Sequence, residues 1–300
     1  MQISTSLFYS NASARFSKMN ERASELQTQI STGKKILKPS DDPAAAQQLA
    51  EFDRKDADAA VYGTNITLAG SLLDQADGVL SQISTQLTRA TELATQAANG
   101  TQTDATRKII ATELNSIVGT LVGLANTKNV RGQPLFGSAS GGLAVVDNKD
   151  GTFTFPPDVQ VSEVPIGDGQ SVQATESAKR IFTLAGGNDN TLAVLSKLAT
   201  ALNAGGDVSA TVSSSLDQIG QAVNQVADVS ASVGARGARV DLQQQLLVTA
   251  NTDRSELRGK IEQVDVTDAV VQLQQMMTAL SASQASFSKL SSLSLFDYLK

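Results

Sequence analysis

The stretch that decides the fold is residues 72–97, which read LLDQADGVLSQISTQLTRATELATQA. Its apolar residues recur at spacings of three and four, at Leu72, Ala76, Val79, Ile83, Leu87, Ala90, Leu93 and Ala97. This spacing places them along one side of an α-helix and requires a partner helix with a similar stripe. The segment therefore predicts a long amphipathic helix that ends at Asn99-Gly100.

Two further segments carry the partner stripes. The first follows a turn at residues 99–103 and predicts an antiparallel helical hairpin. The second lies far along the chain and predicts one very long helix on the open side of that hairpin, so the two halves of the chain must pack together. The first stripe is Ile110, Leu114, Ile117, Leu121 and Leu124, and the second is Leu216, Ile219, Val223, Val226, Ser230, Val233, Val240, Gln244 and Leu247.

The two ends of the chain also carry matching stripes and predict a coiled pair of terminal helices. Gly33 is suited to end the first of these helices, and Asp42-Pro43 to begin the next one. Residues 266–300 contain few charges, so this tail should be poorly ordered on its own. The paired stripes are Phe16, Met19, Ala23, Leu26 and Ile30 near the start and Val270, Leu273, Met277, Leu280 and Phe287 near the end.

The middle of the chain has a different composition, with four of the six prolines between residues 131 and 207. Alternating patterns at residues 152–155 and 159–161 predict strands, with a hairpin turn at residues 147–151. An amphipathic helix carrying Leu192, Leu195, Leu198 and Leu202 should follow the Asn188-Asp189-Asn190 capping cluster. We expect a mainly α protein with a long antiparallel helical bundle and a small, exposed, β-rich insert.

Composition excludes several classes of function. The 300 residues include no Cys and no His, which removes thiolate nucleophiles, imidazole bases, disulfides and most zinc or copper sites. The net charge of −6 argues against a nucleic-acid partner. No apolar run predicts a membrane span, and the N-terminus lacks the features of a Sec signal. We expect no catalytic residue, no cofactor, no metal and no membrane insertion.

Several motifs resemble segments of the flagellin superfamily, over nearly all of the chain outside residues 138–178. Residues 31–36 (STGKKI) with 39–45 (PSDDPAA) resemble the link between terminal coil and rod in flagellins and hook-associated proteins. Residues 87–101 (LTRATELATQAANGT) are similar to the most characteristic stretch of the flagellin rod. Residues 1–5, 131–138 and 294–300 resemble the branch found at the hook–filament junction, whereas the segment around Arg89 resembles filament flagellins.

The resemblance implies an extracellular structural subunit of the bacterial flagellum that self-assembles and is not an enzyme. It implies a terminal coiled-coil assembly domain (1–42 plus 256–300), a helical rod (43–135 plus 190–255) and an outward-facing insert (136–189). The ten stripe residues of the two chain ends are then the assembly interface. The implied partners are copies of the chain, other flagellar axial proteins, an export chaperone and the secretion apparatus, because the chain would leave the cell unfolded through the flagellar export channel.

Three positions and two alternatives remain open at this point. Arg89, Leu93 and Glu113 match rod positions that, in some filament flagellins, contact a neighbouring subunit and a host receptor. The alternative function is a filament flagellin whose insert also binds a surface ligand such as a polysaccharide or a host receptor. At residues 147–151 a plain hairpin turn is the main interpretation, and weak metal binding is the alternative.

Overall fold

The computed structural model describes residues 2–129, 132–137, 142–156, 163–184, 187 and 189–297, with side chains from residue 7 to residue 289 within them. The helices are α1 Gln2–Thr32, α2 Pro43–Ala98, α3 Asp104–Ala125, α4 Ala178–Phe182, α5 Thr191–Ala204, α6 Ser209–Glu262 and α7 Val266–Asp297. The strands are β1 Val146–Asp147, β2 Phe153–Thr154, β3 Glu163–Gly167 and β4 Gln170–Gln173. The chain is 75% helical, so the predicted mainly α class is confirmed.

The chain divides into two compact units. The terminal unit comprises residues 1–57 and 249–300, and the central unit comprises residues 58–248. Helices α2 and α6 contribute residues to both units.

The predicted helix boundaries follow from local hydrogen bonding. Helix α1 ends where Gly33 takes a left-handed backbone with φ of 71°, a conformation that costs glycine little. Helix α2 begins at Pro43, which has no N–H to leave unpaired. The Asp42 carboxylate accepts a hydrogen bond from the backbone N–H of Ala45 at 3.0 Å, so it caps this helix end as the sequence predicts.

One hydrophobic core occupies the central unit. The predicted stripe of α2 is buried at every position, and α3 buries its own stripe from Ile110 to Leu121. The four predicted leucines of α5 are also fully buried. Together with the inner face of α6, these residues form one contiguous cluster, so the predicted packing of the two halves of the chain is confirmed within this unit.

The buried face of α6 differs from the predicted stripe. The structure buries Val212, Ser215, Ile219, Ala222, Val226, Val229, Val233 and Val240. Predicted Val223 is only half-buried, where it lines an open groove of 910 Å³ with Thr91 and Thr95. Predicted Gln244 is exposed. The small side chains of Ser215 and Ala222 face the core instead, which allows helices to approach closely.

The predicted hairpin near residue 150 is present as β1 and β2, which pair antiparallel with Asp147 opposite Phe153. Its turn has positive φ at Lys149 and Gly151. A second antiparallel hairpin, β3 with β4, was not predicted. The predicted strand at residues 159–161 lies outside the described residues.

Part of the predicted insert, residues 136–189, shares the central core. The side chains of Phe136, Ile166 and Phe182 are fully buried and belong to the same cluster as α2, α3 and α6. The exposure expected for the insert therefore does not extend to these residues. The division into coil, rod and insert remains a prediction.

Candidate assembly interface

Helices α1 and α7 form an antiparallel pair in the terminal unit. The predicted stripe of α1 faces α7. Its residue Leu26 is fully buried, and the other four are half-buried, namely Phe16, Met19, Ala23 and Ile30. Near the N-terminal end of α1, the ring of Phe287 lies edge-on to those of Phe16 and Tyr9, with centroids 5.6 Å and 5.3 Å apart. At the other end, the backbone N–H of Val264 donates to the carbonyl of Gly33 at 3.0 Å.

The α7 half of the predicted stripe is only partly right. Leu273, Leu280 and Phe287 lie in the seam with α1, but Val270 and Met277 are 36% and 55% exposed. The seam instead follows Ala269, Leu273, Met276, Leu280, Ser283 and Phe287, which are all buried or half-buried. The apolar surface of α7 is thus wider than the area that α1 covers. Val270 and Met277 lie beside the seam with α1 and not within it.

Polar contacts join the segments that connect the helices of the terminal unit. The backbone N–H of Lys35 donates to the carbonyl of Glu262 at 2.6 Å, and the Lys34 ammonium pairs with the Glu262 carboxylate. The side-chain amide of Gln29, itself buried, donates to the carbonyl of Lys35 at 2.8 Å. The connection after α1 is therefore fixed against the end of α6.

An ionic cluster joins the start of α2 to the end of α6. Arg258 donates to Asp53 at 2.7 Å and to Asp56 at 2.9 Å, and Arg254 donates to Asp56 at 2.5 Å. The hydrogen bond to Asp53 is the main cause that raises the pKa of Arg258 above its ordinary value. Both aspartates are about half exposed or more, so solvent and salt weaken these ion pairs.

The three predicted contact positions of the rod have different environments. Arg89 of α2 donates to Glu113 of α3 at 2.7 Å and to Glu92 at 2.9 Å. Hydrogen bonds to Glu92 and Glu113 raise the pKa of Arg89. These exposed groups can contact a partner, but Leu93 is 2% exposed and packs in the central core. The expectation that Leu93 contacts a subunit or receptor stays a prediction, and its burial gives it less support than Arg89 and Glu113 have.

A buried ionic cluster in the central unit was missed by the sequence reasoning. The Glu176 carboxylate, whose side chain is 3% exposed, accepts hydrogen bonds from Arg180 at 2.7 Å and from Arg236 at 2.8 Å. Arg236 also donates to the carbonyl of Gln173 at 3.0 Å. These bonds anchor the end of β4 to α6. No local sequence signal pairs Glu176 with a residue sixty positions away.

The carboxylates of the hairpin turn at residues 147–151 hydrogen-bond within the turn. Asp147 accepts from both the backbone N–H and the ammonium of Lys149, each at 2.8 Å, and these bonds lower its pKa. Asp150 accepts from the backbone N–H of Thr152 at 2.8 Å. Among the described residues, no group of three or more His, Cys, Asp or Glu side chains could hold a metal ion.

Helix α3 is the one described helix that is long and apolar enough to cross a membrane by length and composition. The sequence pattern predicted no such segment. The apolar face of α3 is accounted for by packing, since Ile110, Leu114, Ile117 and Leu121 lie in the central core.

The chain combines a buried helical core with a pair of terminal helices, and part of the apolar surface of α7 stays exposed. These features are typical of a helical structural subunit. Two flagellin models match the chain: the N-terminal helical region of bacterial flagellin at residues 3–140 and the C-terminal helical region at residues 216–299. The chain belongs to the flagellin family. It is a structural component of the bacterial flagellum.

Individual relatives refine this assignment. Flagellar hook-associated protein 3 of Escherichia coli K12 is 26% identical over the full length of both chains. The protein of the same name from Salmonella typhimurium is 32% identical over 153 residues, 51% of this chain and 48% of that one. Flagellin of Listeria monocytogenes is 28% identical over 48% of this chain and 50% of its own length. The chain thus spans about half the length of the last two relatives.

Solved structures share the fold. Flagellar hook-associated protein 3 of Legionella pneumophila has a TM-score of 0.65 at 14% identity, covering 71% of this chain and 98% of that chain. FlgL of Bacillus cereus has a TM-score of 0.58 at 20% identity, covering 70% and 99%.

Proposed function

We propose that the chain is the junction-type member of the family, which joins hook to filament, and that it assembles through its terminal unit. The observation that carries the assembly mechanism is the uncovered part of the apolar surface of α7, where Val266, Val270 and Met277 remain exposed beside a formed α1–α7 seam. Exposed apolar side chains at helical spacing favour packing against another helix. The mechanism uses the ten predicted interface residues in two roles: most hold α1 to α7, and Val270 and Met277 face outward.

The junction role rests on the extent of similarity. The match to hook-associated protein 3 of Escherichia coli extends over the whole of both chains, whereas the match to Listeria flagellin covers about half of each. The full-length match to hook-associated protein 3 supports the junction role. For a filament protein, we would expect the match to flagellin to extend over the whole of both chains as well.

Export and chemistry complete the proposal. The chain has no Cys, so no disulfide hinders passage of an unfolded chain through the flagellar export channel, with a chaperone keeping the apolar ends soluble.

We also propose that the chain has no catalytic activity, because it works by packing surfaces. A surface ligand for the insert is less well supported: Phe136 and Phe182 are fully buried, and Phe153 and Phe155 are half-buried against the core.

Immunogold electron microscopy of cells that carry a tagged copy of the chain tests the junction role. We expect a single band of label where hook and filament meet. Label distributed along the filament would instead assign the chain to the filament. A tagged flagellin in the same cells provides the matched control, because it must label the filament along its length.

A further inference from the structure

The net charge of the chain arises in the central unit. In the terminal unit, residues 1–57 and 249–300, 13 basic residues balance 13 acidic residues. The central unit holds 11 basic and 17 acidic residues and therefore the whole net charge of −6. Copies of a neutral unit can approach one another without the net repulsion that copies of the central unit experience.

One flank of the α1–α7 pair contains an open cavity. Its volume is 530 Å³, and the rings of Phe8, Phe16 and Phe287 line it together with Ala12 and Met19 and with the polar side chains Asn11 and Arg15. On the α7 side the cavity is bounded by Ala282, Ser283 and Ser286. The cavity is large enough for side chains of another helix, and the phenyl rings offer an apolar contact surface.

The other flank of the same pair carries an apolar ridge formed by Val266, Val270 and Met277, which are 47%, 36% and 55% exposed. At about 100° per residue, the three side chains project within about 40° of one another around the axis of α7. Ala282 and Ser286 project on the opposite side of the seam by the same reckoning. The ridge and the cavity therefore face in different directions.

We propose that the ridge of one copy docks into the cavity of a second copy of the chain. This inference rests on the proposed assembly through the terminal unit and names the surfaces that meet. A second copy fits the observations because the ridge carries no charge and the terminal unit is neutral. Because ridge and cavity are different surfaces on opposite flanks, the contact is head-to-tail and leaves a free ridge at one end of a dimer and a free cavity at the other, where further copies can add.

The two surfaces also define a stagger. The ridge is centred near residue 271 of α7. The residues of α7 that line the cavity are centred near residue 284. For two copies whose α7 helices run parallel, the difference of 13 residues corresponds to an axial displacement of about 20 Å, at 1.5 Å per residue.

Matched substitutions in the full chain test the pairing. Met277→Lys places a charge on the ridge, and Thr278→Lys places the same charge one residue away, on the exposed face. Ala282→Trp fills the cavity, and Ala285→Trp adds the same bulk at an exposed position outside the cavity lining. We expect Met277→Lys and Ala282→Trp each to raise the concentration required for assembly by about tenfold or more. The two controls should assemble as the unaltered chain does.

Mixing the two defective variants gives the decisive result. Met277→Lys retains its cavity and Ala282→Trp retains its ridge, so an equimolar mixture should form one-to-one pairs that cannot grow, seen by sedimentation velocity. Two outcomes would overturn the pairing: a mixture that stays monomeric, which would assign the two surfaces to other axial proteins, or defective variants that assemble like their controls. If deletion of residues 266–300 still abolishes assembly in that second case, the proposed function stands and only this pairing fails.

Discussion

Replacing Leu121 of α3 with Ala should strongly destabilise the central unit. Leu121 is fully buried in the cluster shared by α2, α3 and α6. The substitution removes three buried carbons at about 0.8 kcal/mol each, which gives about 2.4 kcal/mol. A partly retained cavity raises the total cost to about 3–4 kcal/mol. For a unit of this size we expect the melting temperature to fall by about 6–16 °C.

Thermal unfolding followed by circular dichroism, with urea denaturation to check for an unchanged m-value, measures this effect. Leu242→Ala is the matched control, because Leu242 of α6 is 56% exposed and the same atoms are removed from a solvated position. The control should change the melting temperature little. Equal losses in the two variants would refute the assignment of one central core built from both halves of the chain.

Three further predictions concern other parts of the fold. Arg236→Met should cost about 1.5–3 kcal/mol because it removes one of two charged partners of the buried Glu176 carboxylate, while Arg180 still pairs with it. Arg239→Met, which loses only an exposed contact to Gln170, should cost far less, and similar urea midpoints would count against the buried cluster. Gly78→Ala should stabilise the folded chain by about 0.5–1 kcal/mol, because Gly78 lies in mid-helix and the added carbon meets no atom within 4 Å. Gly205→Ala should destabilise it, because φ is 78° and the Asp104 carboxylate lies 3.3 Å from the added carbon. Melting temperatures that move in the same direction for the two variants would contradict these backbone assignments. In a verified monomer, limited proteolysis should cleave residues 1–40 and 256–300 before residues 45–135 and 205–250, and intact ends would show that the coil is stable without partners.

Sequence periodicity identified the helices well where large apolar residues are separated by polar ones. Every predicted position of the α2 stripe is buried, and the structure also buries the neighbouring Leu73 and Leu80, because the face that α2 presents to the core is wider than one stripe. In α6, valines at 223, 226, 229 and 233 lie around more than one face, so the choice between half-buried Val223 and buried Val229 could not be made from spacing. In α7, the neighbouring Met276 and Met277 allow two registers, and only the position of α1 selects Met276 for the seam.

Other features required information that spacing does not contain. The β3–β4 hairpin had a local signal, the Asp168-Gly169 turn with Gly169 at φ of 63°, but Pro165 and Gly167 weaken the strand pattern before it. The ionic clusters at Glu176 and at Asp56 join residues that are distant in the sequence. Their pairing depends on how the helices pack, and the charges alone fit a solvated surface equally well.

The central claim is that the terminal helices drive assembly while the central unit folds without them. Deleting residues 266–300 removes α7 but leaves the central core from Ile66 to Val240 complete. Sedimentation and electron microscopy should be carried out under conditions in which the full chain assembles. We predict that the truncated chain retains its helical circular dichroism and the melting temperature of the central unit but forms no assemblies, because each lost large apolar contact is worth about 1.5–3 kcal/mol at every subunit. Normal assembly of the truncated chain would contradict the account.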